Sequence, residues 1–201
     1  MAQSPITPWR EKLWKQIRDI KPEEVCLKAG AGYINGHYSI VFMNDEYHVH
    51  PVSGKITSPH NGVLASYPEF ELLLGSYLLN AGNIPRHGKW ISEKEIPGGS
   101  TFFKGPHRLP DSELKTLFGK DKKNFLETGK KFEGKSLEYG DASFEFQLLP
   151  RVPLACILWT EDDEFPARIN YLFDPSISQM LPLDVILALV NCFVKKFVSS
   201  R

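Results

Sequence analysis

Cysteine is scarce in this chain of 201 residues, and its three cysteines, Cys26, Cys156 and Cys192, lie far apart. No CxxC pair occurs, which excludes a zinc ribbon or a cysteine-ligated iron–sulfur cluster. Three separated thiols, two of them in apolar runs, read as structural thiols of a reducing compartment. Excess charge is also missing, because 24 Lys and Arg balance 24 Asp and Glu. A neutral chain sets up no global field to gather nucleic acid or anionic lipid. The longest apolar window, near residues 181–194, is broken by Asp184 and Asn191 and is too short to span a bilayer. The opening residues MAQSPITPWREKLW lack the apolar segment of a secretory leader. A cytoplasmic protein with no membrane and no nucleic-acid partner is expected. Neither a GxSxG elbow, a GK[ST] phosphate loop nor a dinucleotide fingerprint is present.

Apolar and aromatic residues are ample, at 42% and 12%, enough for one substantial core. The chain is organised around Gly140 to Asp174. Ser143 to Leu149 alternates in part, with Phe144, Phe146 and Leu148 on one face. Pro150-Arg151-Val152-Pro153 predicts a break in the ladder, since each proline removes a donor. Leu154 to Trp159 is apolar throughout, as expected of a central strand covered on both faces. After the acidic run Glu161 to Glu164, Arg168 to Phe173 alternates again.

Upstream, Pro8 with Trp9, Leu13, Ile17 and Ile20 predicts an amphipathic helix that stops before Pro22. Tyr38 to Phe42 and Tyr47 to Pro51 read as strands joined through Asn44-Asp45-Glu46, with a third strand near Lys55 to Thr57. A helix over Pro68 to Asn80 follows. Prolines 85, 97, 106 and 110 and glycines 98, 99 and 105 then predict a long ordered loop over 83–110, holding Trp90, Phe102 and Phe103 against the fold. Short helices from Asp111 and Asp121 come next. Pro182 to Val198 carries a broad apolar stripe. The whole predicts a single α+β domain, a mainly antiparallel sheet packed with several helices.

Gly98-Gly-Ser-Thr-Phe-Phe-Lys-Gly-Pro-His107, Leu149-Pro-Arg-Val-Pro-Leu154, Trp159 with Asp162-Asp-Glu-Phe-Pro166, and Leu172-Phe-Asp174 together resemble a domain-of-unknown-function family. That family occurs mainly in anaerobic bacteria and archaea, and the resemblance runs from about Tyr67 onward. It implies an anaerobe's cytoplasm and a metal- or corrinoid-linked setting, and it implies no reaction. Some relatives carry an added cysteine-rich iron–sulfur segment that this chain lacks.

Four patterns carry candidate chemistry. Lys104, His107 and Arg108 follow glycines that allow close backbone approach, so this stretch can be a ligand loop or a rigid loop packing Phe102 and Phe103. Arg151, fixed between prolines, offers a guanidinium to an anion or acts as a strut to Asp141, Asp174 or Glu164. Asp162, Asp163 and Glu164 can ligate a hard cation or form a solvated turn. His48 and His50 project from one face of a strand, where they can share a metal or stand exposed. The reading is a small-molecule or cofactor-binding module, with no cofactor identified and no catalytic residue assigned. The alternatives are a metal-assisted hydrolase or transferase using the acidic tip, and an accessory protein docking on a metalloenzyme.

Overall fold

The computed structural model describes residues 8–60 and 62–199; residues 1–7, part of the stretch read for a leader, lie outside it. Helix α1 (Pro8–Arg18) buries Leu13, Trp14 and Ile17 and ends before Pro22, as expected. Pro22 does more than stop that helix, because it opens a second one, α2 (Pro22–Ala29). Proline at a first turn leaves no donor unpaired, and Glu23 and Glu24 beside it suit the positive end of the dipole. Gly30 closes α2 at φ 65°, a conformation that glycine adopts without strain.

Strands β1 (Gly32–Ile34), β2 (His37–Phe42), β3 (Asp45–His50) and β4 (Lys55–Thr57) form an antiparallel meander. The β2–β3 hairpin stands where the alternation placed it, but its turn is Met43-Asn44, and Asp45 and Glu46 belong to β3. Both turn residues have positive φ, 47° and 66°. Two such residues give the hairpin twist that the flanking strands need.

Helix α3 (Pro68–Asn80) follows the predicted span and buries Phe70, Leu73, Leu74, Tyr77 and Leu78. Residues 83–110, read as loop, carry elements of their own. These are β5 (Ile91–Ser92), the short helix α4 (Gly99–Phe102) and a 3-10 turn at Gly105–His107. Helices α5 (Ser112–Phe118) and α6 (Lys122–Lys131) come next. The Asp121 carboxylate caps α6 by accepting from the Asn124 N–H at 2.9 Å. Asp111 instead takes Lys115 at 2.9 Å and Arg108 at 3.4 Å.

Strands β6 (Lys135–Ser136), β7 (Ala142–Leu149), β8 (Val152–Trp159) and β9 (Arg168–Phe173) join β5 in a second sheet, ordered β5-β9-β8-β7-β6. All its pairs are antiparallel. The apolar run is therefore central, as its composition required. The expected break at Pro150–Pro153 is confined to Pro150-Arg151, and Pro153 sits inside β8 opposite Gln147. The register shifts between Gln147 and Leu149, and Gln147 Nε2 donates to Leu149 O at 2.7 Å. A bulge at that point accommodates a residue that cannot donate.

The fold is α+β, with two antiparallel sheets where the sequence suggested one. Helix α7 (Leu183–Ser199) packs on α3 and the aromatic layer beneath β7. The Met43 N–H donates to Leu148 O at 3.1 Å, and the buried Lys196 ammonium pairs with Asp45, so β7 and α7 are both fastened to the first sheet.

Asp174, 1% exposed, anchors the start of the 83–110 segment. It accepts from the N–H groups of His87 at 3.0 Å, Gly88 at 3.1 Å and Ser176 at 3.0 Å. Burial pushes its carboxyl up, but the bonds from Ser176, His87 and Gly88 outweigh burial and hold it below the ordinary value of 3.8. A depressed carboxyl stabilises the fold above its unfolded-state pKa, and that contribution disappears as pH falls through the folded one. Asp174→Asn is therefore expected to cost about 1–3 kcal/mol at neutral pH. The gap between variant and parent should narrow below pH 3.8, as denaturant midpoints across pH will show.

Candidate functional site

A cleft of about 830 Å³ opens between β9 and the stretch from Glu93 through α5. Both walls are fixed, the second in part through β9 itself. β9 is held by its ladder to β8. The facing wall is held by the Asp174 anchor, by β5 on β9, and by Glu95, whose carboxylate accepts from the Ser92 N–H at 2.8 Å. At the turn into α4, Gly98 has φ 78° and the Gly99 N–H donates to Ile96 O at 2.7 Å. Phe102 and Phe103 meet edge to face at 5.1 Å, with Phe103 buried, so the wall packs on its own aromatics as well as on the sheet.

Charge in the cleft is unbalanced. Lys94, Lys104, Arg108, Lys115 and Arg168 line it, against the carboxylates of Glu93, Asp111 and Glu161. Asp111 is shared by Arg108 and Lys115, and Glu161 pairs with Lys120 at 2.9 Å. The Arg168 guanidinium lies over the Trp159 ring at 5.5 Å. The side-chain ammonium groups of Lys94 and Lys104 have no hydrogen-bond or ion-pair partner among the described residues. At the buried floor the Tyr171 hydroxyl donates to Pro110 O at 2.5 Å. Burial above all, then Cys156 and Asp111, pushes the Tyr171 phenol well above its ordinary value, so it stays neutral.

Lys104 and Arg108 thus stand in the cleft together, both exposed. His107, between them in sequence, stacks its ring on Phe102 at 4.6 Å and 6°. Glu164 lies on the tip beyond the cleft, and Phe165 beside it is 60% exposed. Asp162 spends one carboxylate oxygen on its own turn, accepting from the N–H groups of Glu164 at 2.9 Å and Phe165 at 2.7 Å. Asp163 is exposed on the same turn.

Arg151 sits elsewhere. Its guanidinium donates to Lys28 O at 2.5 Å, to Leu27 O at 2.9 Å and to Asn83 Oδ1 at 3.1 Å. Its backbone N–H donates to the Tyr77 hydroxyl at 3.1 Å, which in turn donates to Ala29 O at 2.8 Å. A cation on the last carbonyls of α2 complements the negative end of that helix. The partners are carbonyl oxygens, and none of Asp141, Asp174 and Glu164 is among them. Arg151→Ala is expected to lower stability by about 1.5–3 kcal/mol. Ligand affinity of the cleft should not change, which a melt and a binding titration on one sample will check.

His48 and His50 share a face of β3 with His37 of β2, whose ring centroid lies 4.4 Å from that of His48 and 5.1 Å from that of His50. The ring planes tilt by only 36° and 40°. His48 Nε2 lies 3.2 Å from Glu46 Oε1, and His50 Nε2 lies 3.3 Å from Thr57 Oγ1. Burial, then His37, His48 and Lys55, holds His50 below its ordinary value. Among the described residues no group of three or more His, Cys, Asp or Glu is arranged to hold a metal ion.

Sequence reasoning missed Lys94, Lys115 and Arg168 as cleft residues. The alternation of β9 did put Arg168 and Asn170 opposite the core face, but nothing local says which segment lies against them. Among the described residues no helix is long and apolar enough to cross a membrane. No curated protein and no solved structure matches the chain. Residues 21–196, most of the chain, match the domain-of-unknown-function family DUF3786, and the protein belongs to that family.

Proposed function

We propose that this protein is a binding module whose cleft between β9 and residues 93–116 takes a small anionic molecule or cofactor. The observation that carries the reading is the cationic excess of a roomy cleft, with the ammonium groups of Lys94 and Lys104 unpartnered among the described residues. About 830 Å³ suits a ligand of cofactor or metabolite size. Three ammonium groups and two guanidinium groups around one space favour carboxylate or phosphate oxygens, guanidinium as a planar fork and ammonium as a point charge. The motif resemblance supports the cytoplasm of an anaerobe, and a metalloenzyme or corrinoid pathway, as its setting.

Calorimetry at low salt with citrate and pyrophosphate as probes tests the reading. One-site binding is expected, weakened at least tenfold by Lys104→Glu with Arg108→Glu and weakened by salt. Both side chains are exposed, so the double variant should melt with the parent. Absence of binding, or binding indifferent to both substitutions, would overturn the reading.

A further inference from the structure

The cleft has an unusual floor. Four consecutive residues of β9, Arg168 to Tyr171, line it, although their side chains alternate between the two faces of the sheet. Consecutive residues line one space when the space lies along the edge of the strand. β5 covers that edge only at Leu172 and Phe173. Beyond the ladder to β8, Arg168 to Tyr171 make no backbone hydrogen bond among the described residues. Alternate residues of a strand turn both N–H and C=O away from their neighbour, so two of these four present an open donor and acceptor pair to the cleft. Open ladder groups are a template for another extended backbone.

Resting on the anion-binding reading above, we propose that the ligand is a short extended acidic peptide that pairs with β9 as an added strand. The edge sets its length. It is closed by β5 at one end and by Pro166 and the acidic turn at the other, leaving four residues, or about 13 Å. The facing wall sets its charge, because Lys94, Lys104 and Arg108 stand where side chains of an added strand would reach. Main-chain bonds then supply affinity and the cations select carboxylate side chains, the division of labour found when a peptide augments a sheet beside a helix. The helix here is α5, which contributes Lys115 and Thr116 to the same space. A compact anion without a backbone would meet the cations and leave the β9 edge to water.

The test compares three probes by competition anisotropy and amide hydrogen exchange on the full chain. The first is a labelled pool of tetrapeptides carrying two Asp or Glu residues, the second the same pool with alternate amides N-methylated, and the third citrate. The peptide pool is expected to bind at least tenfold more tightly than the methylated pool. It should also slow exchange at two amides within Arg168–Tyr171, which citrate should leave unprotected. Equal binding of both pools, or citrate binding while neither pool binds, would overturn the peptide inference and leave the anion reading standing. If none of the three binds, the anion reading falls and takes this inference with it.

Discussion

Phe197→Ala is expected to destabilise the protein by about 3–5 kcal/mol. Phe197 is fully buried in α7, where the rings of Phe118, Phe125, Phe132, Phe146 and Phe193 surround it with centroids 5.3–5.8 Å away. Those rings come from α5, from α6 and the residue that follows it, from β7 and from α7 itself, so no single neighbour can move in to fill the space. The loss combines the transfer of a buried ring with an unrelaxed cavity. Edge-to-face contacts to Phe118 and Phe146 add to it. A domain stable by about 5–15 kcal/mol would lose a large fraction of its margin. Denaturant unfolding gives the measurement, with Phe165→Ala as the control at the exposed tip, expected within about 0.5 kcal/mol of the parent. Similar losses in both variants would contradict the placement of the core.

Gly99→Ala should act on both stability and the cleft. A Cβ at position 99 would lie 1.9 Å from the Glu93 carbonyl oxygen, and 3.3 Å from Ile96 Cβ. The near atom is backbone and cannot rotate aside. The chain between Glu93 and Ile96 must therefore leave α4, at a cost of about 1–3 kcal/mol or more. Glu93, Lys94 and Lys104 lie on either side of that contact and line the cleft, so ligand affinity should fall at least tenfold with the melting temperature. Gly36→Ala is the control. Its φ of 80° strains an alanine by about 1–2 kcal/mol, but nothing lies within 4 Å of the added carbon. It should lose stability and keep affinity. If Gly99→Ala binds as the parent does, the facing wall is not part of the site.

Much of this fold could be read from short-range pattern. α3 and α7 follow from apolar stripes, and β8 from an unbroken apolar run that only a central strand tolerates. Pro22 was legible as the end of one helix and equally as the start of another, and Glu23, Glu24 and Gly30 held the deciding signal. That missed helix hid the partners of Arg151, whose fixed backbone was evident from its prolines while the carbonyls of Leu27 and Lys28 were not. Alternation marks strands without saying which of them pair, so nothing in it separated the meander from the second sheet. Lys104 and Arg108 stood out because glycines and prolines surround them. Lys94, Lys115 and Arg168 join them only through tertiary contacts, and the open edge of β9 follows from the shortness of β5.

The most direct test is the native mass of the protein purified anaerobically from its own source, beside the Lys104→Glu, Arg108→Glu variant prepared identically. A stoichiometric anionic molecule on the parent, absent from the variant, is the predicted result. A molecule held equally by both would place the site away from this cleft and contradict the account.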